Sequence, residues 1–370
     1  MGVSPKSFRS ALPAGYAYQL AMLPRMKAPM THAHKPLAAE AVRDPAQVLI
    51  TMPWKRPWWY CAPGESMTLL WIILIHVAAV VGLLCLPFPG WPIIGVAIGL
   101  LWLGGLGTTI AYHRSLAHRS VVLHPIVERV LIFFAMFNGS GSPAHWVADH
   151  RHHHAMADKT GDISSPREGF WWAHLRWLWQ ANRENTKRFS QDMETSAYRW
   201  WRRLQIPILL GALVGGLILV PWLGWPLALA AALWLGPIRL LMALHVQCTV
   251  NSVCHLGAMS KEQGSAQNVW WLTLVHMGQG ENWHGNHHHW QNSPRLGYGF
   301  SQIDLGWWVI RFLAWCGLAN KVKSTGIERS GHLPTTSPHA RLASIPLRSY
   351  RALRRWISLL LLWLGQPHSA

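Results

Sequence analysis

Two apolar runs joined by a short break constrain this chain more than any other feature in it. Met67 to Leu86 is almost uninterrupted, with His76 its main polar exception, and Trp91 to Ala111 follows. About 20 apolar residues cross a bilayer core as a helix, and in lipid a helix satisfies every backbone polar group within itself. Pro87-Phe88-Pro89-Gly90 breaks the run without a charge, so the two spans form a hairpin. The pattern returns at Ile206 to Trp222 and Trp225 to Val246, whose turn, around Pro221 and Pro226, is again uncharged. Spans are therefore expected at about 67–86, 91–111, 206–222 and 225–246.

Composition supports a membrane setting. The chain is 51% hydrophobic and 13% charged, with 25 tryptophans, as wide aromatic belts require. Its 33 Lys and Arg against 15 Asp and Glu give +18. Such a charge first suggests nucleic acid. Here the basic residues flank the apolar runs, as the positive-inside rule expects, and point to an anionic lipid surface instead of nucleic acid. Both hairpins place residues 1–66, 112–205 and everything after 246 on one side. Those segments carry essentially all the Lys and Arg, so that side, with both termini, is cytosolic. The expectation is an all-α, multi-pass integral membrane protein: four transmembrane helices in two hairpins below a cytosolic helical cap.

Residues 1–66 read as a cytosolic arm without a secretory signal, with Met30 as an alternative start. Residues 67–323 form the central domain. Residues 324–370 form a basic tail in which Trp356 to Gly365, flanked by Arg351, Arg354 and Arg355, lies on the membrane. Val130 to Phe137 is too short to span and reads as an interfacial or re-entrant piece. Arg239 interrupts the fourth span and must reach the interface or face the protein interior. Cys61, Cys85, Cys248, Cys254 and Cys316 are odd in number and form no C-x-x-C pair, which argues against a disulfide framework.

The chemistry lies in the histidines. His150, His153 and His154 form an H-x-x-H-H pattern, and His284, His287 and His288 repeat it. Residues at i, i+3 and i+4 share one helical face, so each box offers three imidazoles as a metal half-site. His113 and His118 follow the second span at i, i+5, about 140° apart on an ideal helix. They serve one centre only if the helix ends or bends there. His255 follows the fourth span. Nine imidazoles exceed the roughly four that zinc takes, whereas two metal ions with open positions account for them. Imidazole suits zinc, copper, iron and nickel alike; iron is favoured if the chemistry is oxidation, since zinc has no redox chemistry. His145, His152, His245, His276 and His289 are taken as supporting or surface residues.

With these boxes go Tyr112-His113-Arg114, His118-Arg119-Ser120, Gly141-Ser142-Pro143, Trp146-Val147, Asp158, Gly161-Asp162, Ser165-Pro166-Arg167, Gly169-Phe170-Trp171-Trp172-Ala173-His174 and Asn251-Ser252. Gln302 to Trp308 closes the set. In order and spacing, Gly107 to Lys323 resembles the membrane fatty acyl desaturases, most of all the acyl-CoA delta-9 type. The resemblance implies an oxygen-dependent enzyme that places a cis double bond, at delta-9, in a long acyl chain carried on CoA or on a lipid. It implies two iron ions held by His113, His118, His150, His153, His154, His255, His284, His287 and His288, with Asn251 reaching one iron through water. Gly285 departs from the asparagine the family commonly has there, which puts the surroundings of the ligands in doubt but not the ligands.

A substrate tunnel needs apolar walls beside the metals; Trp146, Trp171 and Trp172 are its candidates, though belt or core roles suit aromatic residues equally. Arg151 and Arg167 could hold a phosphorylated head group, or pair with Asp149, Asp158 or Asp162. No haem or iron–sulfur motif is present, so electrons come from a ferredoxin, a rubredoxin or a cytochrome b5 system. A membrane hydroxylase shares the histidine boxes but not the Asn251-Ser252-x-x-His255 element. A metal transporter needs ligands along the spans, and a zinc hydrolase of the H-E-x-x-H type lacks its motif here.

Overall fold

The computed structural model describes residues 52–324, apart from 160, 184, 185, 258 and 260–263. Most of the expected arm and tail, including Trp356 to Gly365, lies outside the described residues. Three stretches of helix are long and apolar enough to cross a membrane: Ser66–Cys85, Trp91–Ala117 and Ser196–His255. The first is α1 (Ser66–Cys85). The second is α2 (Trp91–Leu106), which runs on without a break as the π-helical segment Gly107–Ala117. Gly90, at φ 92°, makes the turn between them, and a proline opens α2, where a missing N–H costs nothing.

The third stretch is 60 residues long and holds α6 (Ser196–Val214), α7 (Val220–Leu233) and α8 (Arg239–Ser252). Gly224 interrupts it at φ 67°, ψ 168°, a left-handed position that favours glycine. Around that point the two limbs fold back on each other. A Cβ on Gly216 would sit 2.5 Å from the Cα of Ala232, and one on Gly236 would sit 2.2 Å from the carbonyl oxygen of Leu213. Only glycine permits such backbone contact, the small-residue packing typical of helices in lipid.

Between α2 and α6 lie α3 (Pro125–Phe137), α4 (Pro143–Met156), a π-helical turn at Trp172–Arg176 and α5 (Trp177–Gln180). After α8 come α9 (Leu272–Val275), α10 (His284–His289) and α11 (Leu305–Trp315). The Val130 to Phe137 run belongs to α3, which buries Ile132, Ala135 and Met136 and leaves Ile126, Val130 and Phe133 exposed. Against the all-helical expectation, Val122–Leu123 (β1) pairs antiparallel with Ala319–Asn320 (β2). This two-stranded patch ties the end of α11 to the chain just beyond His118. Arg239 takes the interior alternative: it is buried, donates to the Leu235 and Phe137 carbonyls at 2.7 and 3.0 Å and to Asn138, and lies over the Phe137 ring. All five cysteines are free.

The largest apolar core joins Ile110 and Tyr112 of the π-helical segment to Ile132 and Met136 of α3, Val147 of α4 and Ile310 of α11. Each such side chain, fully buried, contributes about 1.5–3 kcal/mol. This core fixes two of the four histidine-bearing segments, the π-helical segment and α4, relative to one another.

Candidate metal centre

The nine histidines expected from sequence meet in two groups. His113, His118, His150, His154 and His287 form one; His153, His255, His284 and His288 form the other. Within each group, the nitrogens lie within 4.8 Å of one another. Neither H-x-x-H-H box serves a single centre. His150 and His154 of α4 enter the first group and His153 the second; His284 and His288 of α10 enter the second and His287 the first. Each box thus gives its i, i+4 pair to one group and its i+3 ring to the other, so the two boxes interlock.

The i, i+5 pair is explained by the backbone. In the π-helical segment each N–H bonds five residues back, and the His118 N–H reaches the His113 carbonyl at 3.0 Å. That widened turn brings the two rings together, with centroids 5.0 Å apart.

The rings converge through their Nε2 atoms. His113 and His287 approach to 3.0 Å, His118 and His150 to 2.8 Å, and His287 and His154 to 2.9 Å. In the second group, His255 lies 3.1 Å from His153 and 3.0 Å from His284, which is 3.1 Å from His288. A neutral imidazole carries one proton, and where Nδ1 holds it against a carboxylate, as in His113 and His153, Nε2 presents a lone pair to its group. Nδ1 of His154, His284 and His287 has no protein partner. Such a donor set fits metal cations and is poorly satisfied by hydrogen bonds alone. Burial, and after it the neighbouring imidazoles, pushes His118, His150, His154, His284, His287 and His288 well below the usual histidine range. They are therefore in the neutral form a metal requires.

Carboxylates that the sequence reading did not assign to the site orient three of the rings. Glu281 accepts from His113 Nδ1 at 2.9 Å, Asp162 from His153 Nδ1 at 3.0 Å, and Asp158 lies 3.6 Å from His255 Nδ1, which also meets Ser265 Oγ at 3.3 Å. Each contact turns Nε2 inward, the usual support of a metal-binding histidine. Burial alone would raise the Glu281 carboxyl; the His113 ring, Arg114 and the Thr109 hydroxyl outweigh it and bring it to about 2. The available signals were Glu281 three residues before His284 and the Gly161-Asp162 pair. Arg114, fully buried, donates to Asp304 at 2.9 Å and to the carbonyls of Gln279 and Pro294, clamping the first box to the third.

His152 belongs to neither group, but it is buried, not on the surface, and stacks on Phe189 with centroids 5.2 Å apart. Arg151 pairs with Asp192 at 2.7 Å and donates to the carbonyls of Leu116, Ala117 and Phe189. Arg167 donates to the Asp158 backbone carbonyl at 2.8 Å.

A cavity of about 520 Å³ reaches His113, His150, His153 and His284. Trp71, Ile75, Leu209 and Leu240 provide apolar walls. Trp146 lines it and stacks on His150, 4.7 Å between centroids. Trp171 and Trp172 are not among its lining residues; they meet Trp58 and Trp54 instead. Asn251 lines the cavity, as does His276, whose Nε2 meets Thr249 Oγ1 at 2.8 Å.

Residues 89–311 match the family model described as fatty acid desaturase. The chain belongs to the fatty acid desaturase family. It is 35% identical over 281 residues to the delta-9 acyl-lipid desaturase 1 of Arabidopsis thaliana, covering 74% of this chain and 87% of that one. The sn-1 stearoyl-lipid 9-desaturase of Synechocystis sp. is 32% identical, with 70% and 83% covered. The chloroplastic palmitoyl-monogalactosyldiacylglycerol delta-7 desaturase of Arabidopsis thaliana is 31% identical, with 77% and 75% covered. Membership makes this desaturase an oxidoreductase of acyl chains.

Proposed function

We propose that this desaturase introduces a cis double bond at delta-9 of a long acyl chain, using O₂ and a di-iron centre. The observation that carries the reading is the pair of imidazole groups beside a largely apolar cavity of about 520 Å³. The first group, with five imidazoles, would hold one iron; the second, with four, would hold the other, and Asn251 would support one of them through water. With O₂, the two irons supply the oxidising power to take hydrogen from an unactivated methylene, which acid–base side chains cannot do. Two electrons from the chain's two C–H bonds and two from a donor, with two protons from solvent, reduce O₂ to two waters.

The protein's own work is placement. Glu281 and Asp162 hold the His113 and His153 rings with Nε2 turned inward, and the apolar walls align the chain and keep bulk water out. The donor is a separate ferredoxin, rubredoxin or cytochrome b5 system, since the chain has no motif for a haem or an iron–sulfur centre. Four spans in two hairpins, with the break at Gly224 as the second turn, put the metal centre and both termini on the cytosolic side. The carrier is either a CoA thioester or a membrane lipid. Delta-9 activity is supported by the names of two of the relatives above.

Expression in a desaturase-deficient host, with analysis of its lipids, tests the reaction. New cis-9 monounsaturated chains are expected; a hydroxylated product without an alkene would overturn the reading. The purified chain with NADPH alone should be inactive until a donor protein is added.

A further inference from the structure

Beside the two imidazole groups stands an indole. Trp146 lies one turn before His150 on α4, and its ring stacks on that of His150 with 4.7 Å between centroids and 16° between planes. It also meets the His113 ring, 6.2 Å away and tilted by 56°. Both histidines belong to the first group. Residues four apart share a helical face, so the helix that presents His150 presents Trp146 with it. The same indole lines the apolar cavity. It therefore adjoins the metal-binding rings on one side and the space for an acyl chain on the other.

Indole and phenol are the side-chain rings that give up an electron most readily. Phenol must release its proton in doing so, whereas indole can hold the vacancy as a radical cation. The phenol within reach is Tyr112, whose ring is 5.7 Å from that of Trp146. Tyr112 is fully buried and donates its hydroxyl to the Gly141 carbonyl at 2.9 Å. A peptide carbonyl is a poor base, so this contact gives the phenol proton nowhere to go. An electron vacancy that reaches this pair of rings stays on Trp146. Met277 and Cys248 also line the cavity, and their sulfur atoms are the groups that would compete for oxidation.

We propose that Trp146 is an electron donor that protects the metal centre when O₂ is consumed with no acyl chain in the cavity. In desaturation, two C–H bonds supply two of the electrons that O₂ takes up. With the cavity empty that source is missing, and the groups nearest the metals are their own imidazoles. Oxidation of a ligand ring would destroy the site. Trp146 gives one electron instead, across the stack on His150; no bond forms or breaks, and the indole becomes a radical cation. Reduction of O₂ to two waters then takes this electron, three from the external donor and four protons from solvent. The donor afterwards refills the indole. An acyl chain in the cavity supplies its own electrons first, so productive turnover leaves Trp146 unoxidised. This inference rests on the di-iron desaturase reading above.

The full-length chain, loaded with iron and reduced with dithionite in glyco-diosgenin, a detergent without an acyl chain, would be given one pulse of O₂ and frozen. Electron paramagnetic resonance is expected to show an organic radical. Its hyperfine structure should narrow when the chain contains ring-deuterated tryptophan and stay unchanged with ring-deuterated tyrosine. Trp146→Phe should lower the radical at least tenfold, and Tyr112→Phe should leave most of it. Absence of a radical in wild type whose iron has been oxidised, or one that persists in Trp146→Phe or responds to tyrosine deuteration, would overturn the proposal. The deuteration readout uses the wild-type chain, so it decides even if Trp146→Phe fails to fold. Over repeated pulses without substrate, Trp146→Phe should lose iron at least fivefold faster than wild type, with oxidation mapped by peptide mass spectrometry to His150 and His113. Equal loss, or wild-type oxidation confined to Met277 and Cys248, would overturn the protective role. Companion samples receive stearoyl chains on phosphatidylcholine and as stearoyl-CoA. Alkene there, with no tryptophan radical in the substrate-free sample, would overturn this proposal and leave the desaturase reading intact; a Trp146 radical with no alkene from either carrier would do the reverse.

Discussion

At the scale of single residues, the carboxylates behind the imidazoles matter as much as the imidazoles themselves. Glu281 fixes the proton of His113 on Nδ1, so that Nε2 presents a lone pair to the cluster. Glu281→Gln keeps the shape but loses the charge, and partners of this kind typically contribute 10–100-fold in metal affinity or activity. We expect iron binding to weaken by about that factor, measured by competition with a chromogenic chelator. His154 and His152 make a matched pair two residues apart. His154→Ala removes a ring from the five-membered group and should abolish turnover and lower bound iron. His152→Ala should retain iron and turnover, at a stability cost of about 0.5–1.5 kcal/mol from the lost stack on Phe189. Equal iron loss in both variants would mean the box is phased differently. Six of the nine ring positions were legible in the sequence because H-x-x-H-H spacing survives any tertiary arrangement; His113, His118 and His255 were readable only beside those boxes. The supporting carboxylates were not, because Asp162 acts across a turn and Glu281 acts on a ring in a different helix.

At the scale of elements, the decisive local structure is the π-helical end of α2. As an α-helix, Gly107–Ala117 would point His113 and His118 about 140° apart, and the five-imidazole group would lose a member. The segment is held there by close packing: a Cβ on Gly107 would sit 2.2 Å from the Leu131 carbonyl oxygen of α3. Gly107→Val must push α3 away. Overpacking of this kind costs about 1–3 kcal/mol, and here it also displaces the first box. A lower melting temperature in detergent and reduced iron content are the expected outcomes; a stable, fully loaded variant would show that the segment tolerates the shift. The long apolar helical stretches were readable from hydropathy, but the π-helical turn was not, since no residue type in Gly107–Ala117 demands it and the packing against α3 supplies the reason.

At the scale of the whole molecule, the proposed topology places the metal centre and both termini on one membrane side. The proposed topology predicts that a cysteine introduced at Phe88 or at Leu223 is labelled by a membrane-impermeant maleimide from outside intact cells, whereas one at Gln291 is labelled only after the cells are opened. Labelling of Gln291→Cys in intact cells would overturn the orientation. Sequence alone determined the apolar stretches, the uncharged turns, the ring positions and the family, because each depends on spacing along the chain. Tertiary structure decided the rest. It divided each H-x-x-H-H box between two centres, since rings i and i+4 on one helix meet partners that only folding brings near. It placed Arg239 in the interior and Trp146, but neither Trp171 nor Trp172, on the cavity wall. It also committed Arg183 to Glu65 and Asp149, residues 118 and 34 positions away. Charge counted along the chain made this protein strongly basic; only the fold shows that Arg183, which lines the cavity, is already paired with Glu65 and Asp149.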